Sequence, residues 1–218
     1  QKFLENSKNF DDTLVNFILS IYDGLSNSNS KYFLDKTPRY YLIIDEISIF
    51  FPNAKFIFLF RNPLAQFASK LNSHRGRFKT LYSELVDLIK GPNLLVSGYN
   101  GLHEVSEKIN YSELVNDSSL VIKRIENYLN IKIDELVLDN LSKVEIKGAM
   151  GDPNLMENKP SKISSISVDK WKTVFDSPLR RQIALWYLDT IDDEYYKALG
   201  VSKVQIKREL KKVKIRYF

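Results

Sequence analysis

The chain predicts an α/β fold, a parallel β-sheet flanked by helices, and a few stretches carry that expectation. Lys55–Phe60 is almost wholly apolar and rich in aromatic and β-branched residues, which suits a strand covered on both faces of a parallel sheet. It runs straight into Arg61, Asn62 and Pro63. The asparagine can cap a helix, and proline suits the first turn, where no backbone N–H is needed and φ is already helical. Upstream, Tyr32–Leu34 reads as a second, short strand, and Arg39–Phe50 as the crossover helix that joins the two into a βαβ unit.

The other elements follow in order. Phe10, Leu14, Phe17, Ile18 and Ile21 have helical spacing, with Asp11 and Asp12 in the first turn, so 9–25 predicts an amphipathic helix. Ser26–Lys31 is a polar loop. Beyond the central helix, Phe78–Lys90 predicts another amphipathic helix, stopped by Gly91, Pro92 and Asn93. Asn100–Glu107 is expected to be helical and Lys108–Tyr111 a further strand. Asp117–Ile131, with Leu120, Ile122, Ile125, Tyr128 and Leu129, fits an amphipathic helix. Gly148–Ser167 is a long run of Gly, Pro, Asn, Ser and Lys without periodicity, and long irregular loops in compact domains are commonly functional or disordered. Ser177 and Pro178 open a helix to about Leu188, and Gly200 ends the next one.

Composition narrows the function classes. A chain of 218 residues can bury one good core, so a single domain over 1–218 is the expectation, with a basic helical tail at 203–218. With 44% hydrophobic and 12% aromatic residues it is not a disordered chain. Cysteine is absent, which excludes disulfides, thiolate metal sites and a cysteine nucleophile. His74 and His103 are the only imidazoles, too few for a His-rich metal centre. No run of eighteen apolar residues predicts a membrane span, and a cytoplasmic setting is the simplest expectation. The net charge of +5 invites a nucleic-acid partner, but Lys203–Phe218 holds seven basic residues and one acid. That tail carries +6 and leaves the rest of the chain at −1. It reads as a solvated helix face without aromatic interleaving, so no nucleic-acid partner is expected.

Ligands of open α/β sheets bind outside the carboxyl ends of the strands, and free N–H groups at a helix start favour anions. Arg61 sits at such a corner, either as an anion clamp or as a surface charge. Ser69 lies eight residues on, about two helical turns, so it falls roughly toward the same face unless it is an ordinary polar helix residue.

The run DKTPRY at Asp35–Tyr40, then FPNAKFIFLFRNP and the later serine, resembles the sulfotransferase family that uses 3′-phosphoadenosine 5′-phosphosulfate. The resemblance is strongest over 31–71 and looser over 108–131 and 163–172. It implies a P-loop nucleotide-binding architecture and transfer of a sulfuryl group to a hydroxyl or amine acceptor, with adenosine 3′,5′-bisphosphate as product and no metal. In that family the arginine after the strand and the serine eight residues later hold the donor's 3′-phosphate; Arg61 and Ser69 match them. Tyr111, in a segment similar to the family's Tyr-Glu-Asp-Leu, matches a tyrosine near the adenine, with Ser112 a departure and a structural role for the ring the alternative. Lys162, Ser164 and Ser165 precede a Trp-Lys pair, Trp171 and Lys172, like that of the late loop which closes over the nucleotide. Asp35 and Lys36 match the Glu-Lys pair of the glycan-modifying branch, so they are the catalytic candidates: general base and sulfuryl contact. A structural pairing of Asp35 with Lys36 or Arg39 is the alternative. The acceptor implied is hydroxyl-bearing, a glycan or a small molecule.

One part of the family pattern is not found. No Gly-rich phosphate loop precedes Asp35, and the first glycine is Gly24. The chain is therefore expected to be N-terminally incomplete or degenerate, and to bind donor poorly by itself. A non-catalytic nucleotide-binding or scaffold relative of the same fold is the alternative function.

Overall fold

The computed structural model describes residues 2–74, 76, 78–134 and 166–216. Backbone contacts divide the chain into two compact units, Gln1–Ala54 and Lys55–Phe218.

The first unit opens with α1 (Lys2–Leu25), which starts earlier than the apolar spacing predicts. An irregular segment follows, then a 3₁₀ turn at Tyr40–Leu42 and α2 (Ile44–Phe50). The expected strand at Tyr32–Leu34 does not form. A strand exists by exchanging backbone hydrogen bonds with a partner, and this segment joins no ladder among the described residues. It is held by a side chain instead: the Phe33 ring stacks on Tyr22 of α1 with centroids 4.4 Å apart, and Leu34 is 83% exposed. The expected single helix over 39–50 breaks at Ile43, whose φ of −139° is not helical. Tyr40, Tyr41, Ile43 and Ile44, around Leu42, are aromatic or β-branched, and such residues lose rotamer freedom against the preceding helical turn.

The second unit contains a parallel pair of strands, β1 (Phe56–Phe60) and β2 (Ser106–Asn110), in register from Phe56 opposite Ser106 to Phe60 opposite Asn110. A parallel pair needs a crossover, supplied by α3 (Pro63–Ser73), a 3₁₀ segment Phe78–Glu84, a π-helical turn Val86–Lys90 and α4 (Gly91–Leu102). The βαβ unit thus lies between β1 and β2, not upstream of β1. Gly91 and Pro92 do not stop a helix; they start α4, because a proline needs no N–H partner in a first turn. Asn93 reaches out of that turn: its amide donates to the Thr190 carbonyl at 3.0 Å and accepts from the Asp192 N–H at 3.0 Å. A 3₁₀ turn at His103–Val105 ends the helical stretch expected to reach 107, so β2 begins at Ser106.

After β2 come α5 (Tyr111–Asn116) and α6 (Ser118–Leu129), the latter capped by Asp117, whose carboxylate accepts from the Leu120 N–H at 3.1 Å. Beyond 165 the chain resumes with a short turn of helix, α7 (Ile166–Asp169), then α8 (Pro178–Asp189) behind its Ser177 cap, α9 (Asp193–Ala198) and α10 (Lys203–Lys212). This is an α/β unit with helices flanking a parallel sheet. The Phe58 and Phe60 face of β1 packs on Tyr99 of α4, rings 5.6 Å apart in each case. Ile57 and Leu59, on the other face, are 39% and 48% exposed, so among the described residues of this unit that face of β1 is less covered than its apolar run predicts. The alternation follows from the two-residue period of a strand. A second aromatic cluster gathers on Phe67 of α3, with Phe175 at 5.3 Å and Tyr187 at 4.8 Å, and Leu64, Leu71, Leu188 and Leu210 are fully buried around it.

Candidate functional site

The strand-to-helix corner at Arg61 is built by local chemistry. The Asn62 side-chain oxygen accepts the Leu64 N–H at 2.9 Å, and Pro63 occupies the first turn of α3 without an N–H to satisfy. The Ala65 N–H returns to the Asn62 carbonyl at 3.0 Å. The first donors of α3 are therefore taken, and the helix start offers an anion its dipole rather than the free N–H groups expected from sequence.

A residue 134 positions away fixes the main chain of this corner. Tyr195, fully buried in α9, donates its hydroxyl to the Arg61 carbonyl at 2.9 Å, and the Arg61 N–H approaches the same oxygen at 3.4 Å. Gln66 of α3 donates to it at 3.2 Å. Burial pushes the Tyr195 hydroxyl up to about 12, so it remains a donor across the physiological range.

The register of the sheet places Tyr111, next after β2, beside Arg61, next after β1. The Arg61 guanidinium lies over the Tyr111 ring, 4.3 Å from its centroid. Both line a cleft of about 120 Å³ at the carboxyl ends of the strands, with Ala65, Ser112, Gln205 and Glu209 among its walls. A cation, a hydroxyl, an amide and an aromatic ring converge there, which suits a phosphate group beside a planar ring. Glu209 opposes an anion, and the volume is too small for a whole nucleotide, since drug-sized ligands occupy pockets of roughly 300–1,000 Å³. The cleft fits a phosphate-sized group with part of a ring beside it.

Ser69 does not line it. It is exposed, one turn beyond Ala65 on α3. Asp35 and Lys36 belong to the first unit, where Asp35 is the centre of a small network: one of its carboxylate oxygens accepts from the Tyr22 hydroxyl and, at 2.5 Å, from the Tyr40 hydroxyl. Burial, followed by the hydrogen bond to Asp35, raises both phenols above their ordinary range, so they stay neutral donors. Lys36 is exposed. Lys162, Ser164 and Ser165 lie outside the described residues. Trp171 is buried in the core, and Lys172 pairs with Asp169 at 2.8 Å. Sequence reasoning missed Tyr195, Gln205 and the two phenols on Asp35, because each acts across a tertiary contact that leaves no local pattern.

The sequence model described as the sulfotransferase family matches residues 4–135, more than half of the chain. The chain belongs to the sulfotransferase family. The matched span contains Asp35, Lys36, Arg61, Ser69 and Tyr111, and the general activity that goes with it is sulfotransfer. No curated protein and no solved structure matches this sulfotransferase. Among the described residues no helix is long and apolar enough to cross a membrane, and no group of three acidic or imidazole side chains could hold a metal ion.

Proposed function

We propose that this sulfotransferase draws its sulfuryl group from 3′-phosphoadenosine 5′-phosphosulfate and releases adenosine 3′,5′-bisphosphate. The observation that carries the reading is the Arg61 corner: a guanidinium at the carboxyl end of a parallel strand, seated on the Tyr111 ring within the family match. A planar fork of N–H donors grips a phosphate through two oxygens at once, and that grip on the 3′-phosphate separates this donor from ATP. Tyr111 offers its ring to the adenine side, and Ser69, with Lys162, Ser164 and Ser165 of the late segment, supplies further donors to the 3′-phosphate.

Bound donor supplies an S–O bond to a phosphate leaving group. The acceptor's hydroxyl oxygen forms the new S–O bond as that bond breaks, and the hydroxyl proton passes to the Asp35 carboxylate. Lys36 neutralises charge that develops on the sulfuryl oxygens. Tyr22 and Tyr40 hold one oxygen of Asp35, so the other is the proton acceptor. The acceptor is a hydroxyl compound, with a glycan as first choice.

That same double hydrogen bond favours a second reading, in which Asp35 is a structural anchor and the protein a non-catalytic nucleotide-binding relative. Radiolabelled sulfate transfer by Asp35→Asn and Lys36→Ala, run beside bisphosphate binding, separates the two. Loss of turnover with donor affinity kept supports the enzyme. Variants as active as the parent overturn the roles given to both residues.

A further inference from the structure

The basic C-terminal stretch is more ordered than its composition suggests. Ser202 caps α10 by accepting the Gln205 N–H at 3.1 Å, and Ile206 and Leu210 seat that helix in the core. Past the helix the chain is tied down twice. The Val213 carbonyl accepts from the Arg181 guanidinium, and the Arg216 N–H donates to the Asp176 carbonyl at 2.7 Å. The Arg216 side chain also pairs with the nearly buried Asp176 carboxylate at 3.3 Å. The tail is therefore a wall, and behind it lies a cleft of about 450 Å³.

Four cations line that cleft, Lys172, Lys212, Lys214 and Arg216, against two carboxylates, Asp176 and Glu209. Asp176 is neutralised by Arg216 and Lys172 pairs with Asp169, whereas Lys212 and Lys214 take part in no ion pair among the described residues and outnumber Glu209. The field inside is positive, which draws anions toward it. The lining holds no aromatic side chain, whereas surfaces that bind single-stranded nucleic acid stack bases on aromatic rings. Its carboxylate and the Thr173 hydroxyl suit instead a ligand that carries hydroxyl groups as well as anionic ones. Glu209 walls both this cleft and the Arg61 cleft, so the two are neighbours on either side of α10.

We infer that the cleft between Lys172 and the Lys212–Arg216 wall binds an acidic oligosaccharide, carrying sulfate or carboxylate groups, as the anionic part of the acceptor. This rests on the sulfotransferase reading for the word acceptor, but not for the binding itself. Its volume lies in the range of small-molecule sites, enough for about one or two sugar units.

The test titrates four probes into the full chain and into a Lys212→Ala/Lys214→Ala variant, with calorimetry as readout. The probes are a sulfated, carboxylated heparin hexasaccharide, uncharged maltohexaose, a twelve-residue oligothymidylate and adenosine 3′,5′-bisphosphate. Both substituted lysines are exposed, so unchanged thermal melting serves as the fold control. The expected result is binding of the acidic hexasaccharide, none of maltohexaose, and a loss of about tenfold in the variant as two cationic contacts are removed. Bisphosphate affinity stays the same. Hexasaccharide binding equal in both proteins, or absent from both, overturns the inference. Oligothymidylate binding as tight, with the same loss, makes the cleft a general polyanion surface and overturns it too. A parallel fall in bisphosphate affinity assigns the cleft to the donor instead. Failure of the bisphosphate to bind either protein, with the hexasaccharide result intact, removes the donor reading and leaves the oligosaccharide site standing.

Discussion

The hydroxyl of Tyr195 donates to the carbonyl of Arg61 at 2.9 Å, tying a helix near the end of the chain to the corner where β1 becomes α3. The guanidinium's aim is set from its own backbone, so a phenol 134 residues away is part of what orients it. Packing against Phe60, with ring centroids 5.3 Å apart, fixes the phenol in turn.

Tyr195→Phe leaves the ring packing intact and removes the donor. The Arg61 carbonyl then loses a partner in a part-buried setting, at a cost of about 1–3 kcal/mol. Urea unfolding followed by far-UV circular dichroism should show that loss, together with weaker binding of adenosine 3′,5′-bisphosphate. The same variant carries a pH signature. Because the folded state holds the Tyr195 proton up to about 12, its contribution is fully present below the unfolded value of about 10 and is lost as pH rises between the two. The parent should therefore lose stability between about pH 10 and 12, and Tyr195→Phe should lose less; Tyr187 and Tyr196 are also raised, so the slope flattens without vanishing.

Asn62→Ala removes the cap on α3 and exposes the Leu64 N–H that it satisfied. Caps of this kind contribute about 1 kcal/mol. The melting temperature should fall by a few degrees, and the freed N–H should not raise bisphosphate affinity, because the proposed contact is made by Arg61 and not by the helix start.

Much of the second unit was legible because its signals are local. The strand ending in Asn62 and Pro63, the Asp117 cap of α6, the Ser177 and Pro178 start of α8 and the glycine after α9 each need only a few neighbouring residues. Tyr32–Leu34 failed because a strand is a pairing, and three apolar residues do not say where a partner runs. Gly91 and Pro92 failed because the same residues close one helix or open the next, and the choice is made by Asn93 gripping the α8 to α9 connection. Arg61 and Tyr111 were legible as separate residues. Their contact was not, since it comes from the register of two strands fifty residues apart. Ser69 matches its family position by sequence count, and on α3 it stands exposed one turn beyond Ala65 of the cleft wall.

Gly200 closes α9 with φ at +72°, and nothing stands within 4 Å of the place a Cβ would take. Gly200→Ala should therefore cost only the backbone strain, about 1–2 kcal/mol, with no steric addition. Calorimetric melting checks it. A larger loss would mean that α10 is displaced, and the wall of the basic cleft with it.

Calorimetric titration tests the proposed grip of Arg61 on the donor's 3′-phosphate. Adenosine 3′,5′-bisphosphate and 5′-AMP are each titrated into the parent protein and into Arg61→Ala. The account predicts that the bisphosphate binds more tightly than AMP, that Arg61→Ala weakens it by about 10–100-fold through loss of a charge-assisted fork, and that AMP is little affected. Equal affinity for the two nucleotides, or a bisphosphate affinity that survives the loss of Arg61, would contradict it.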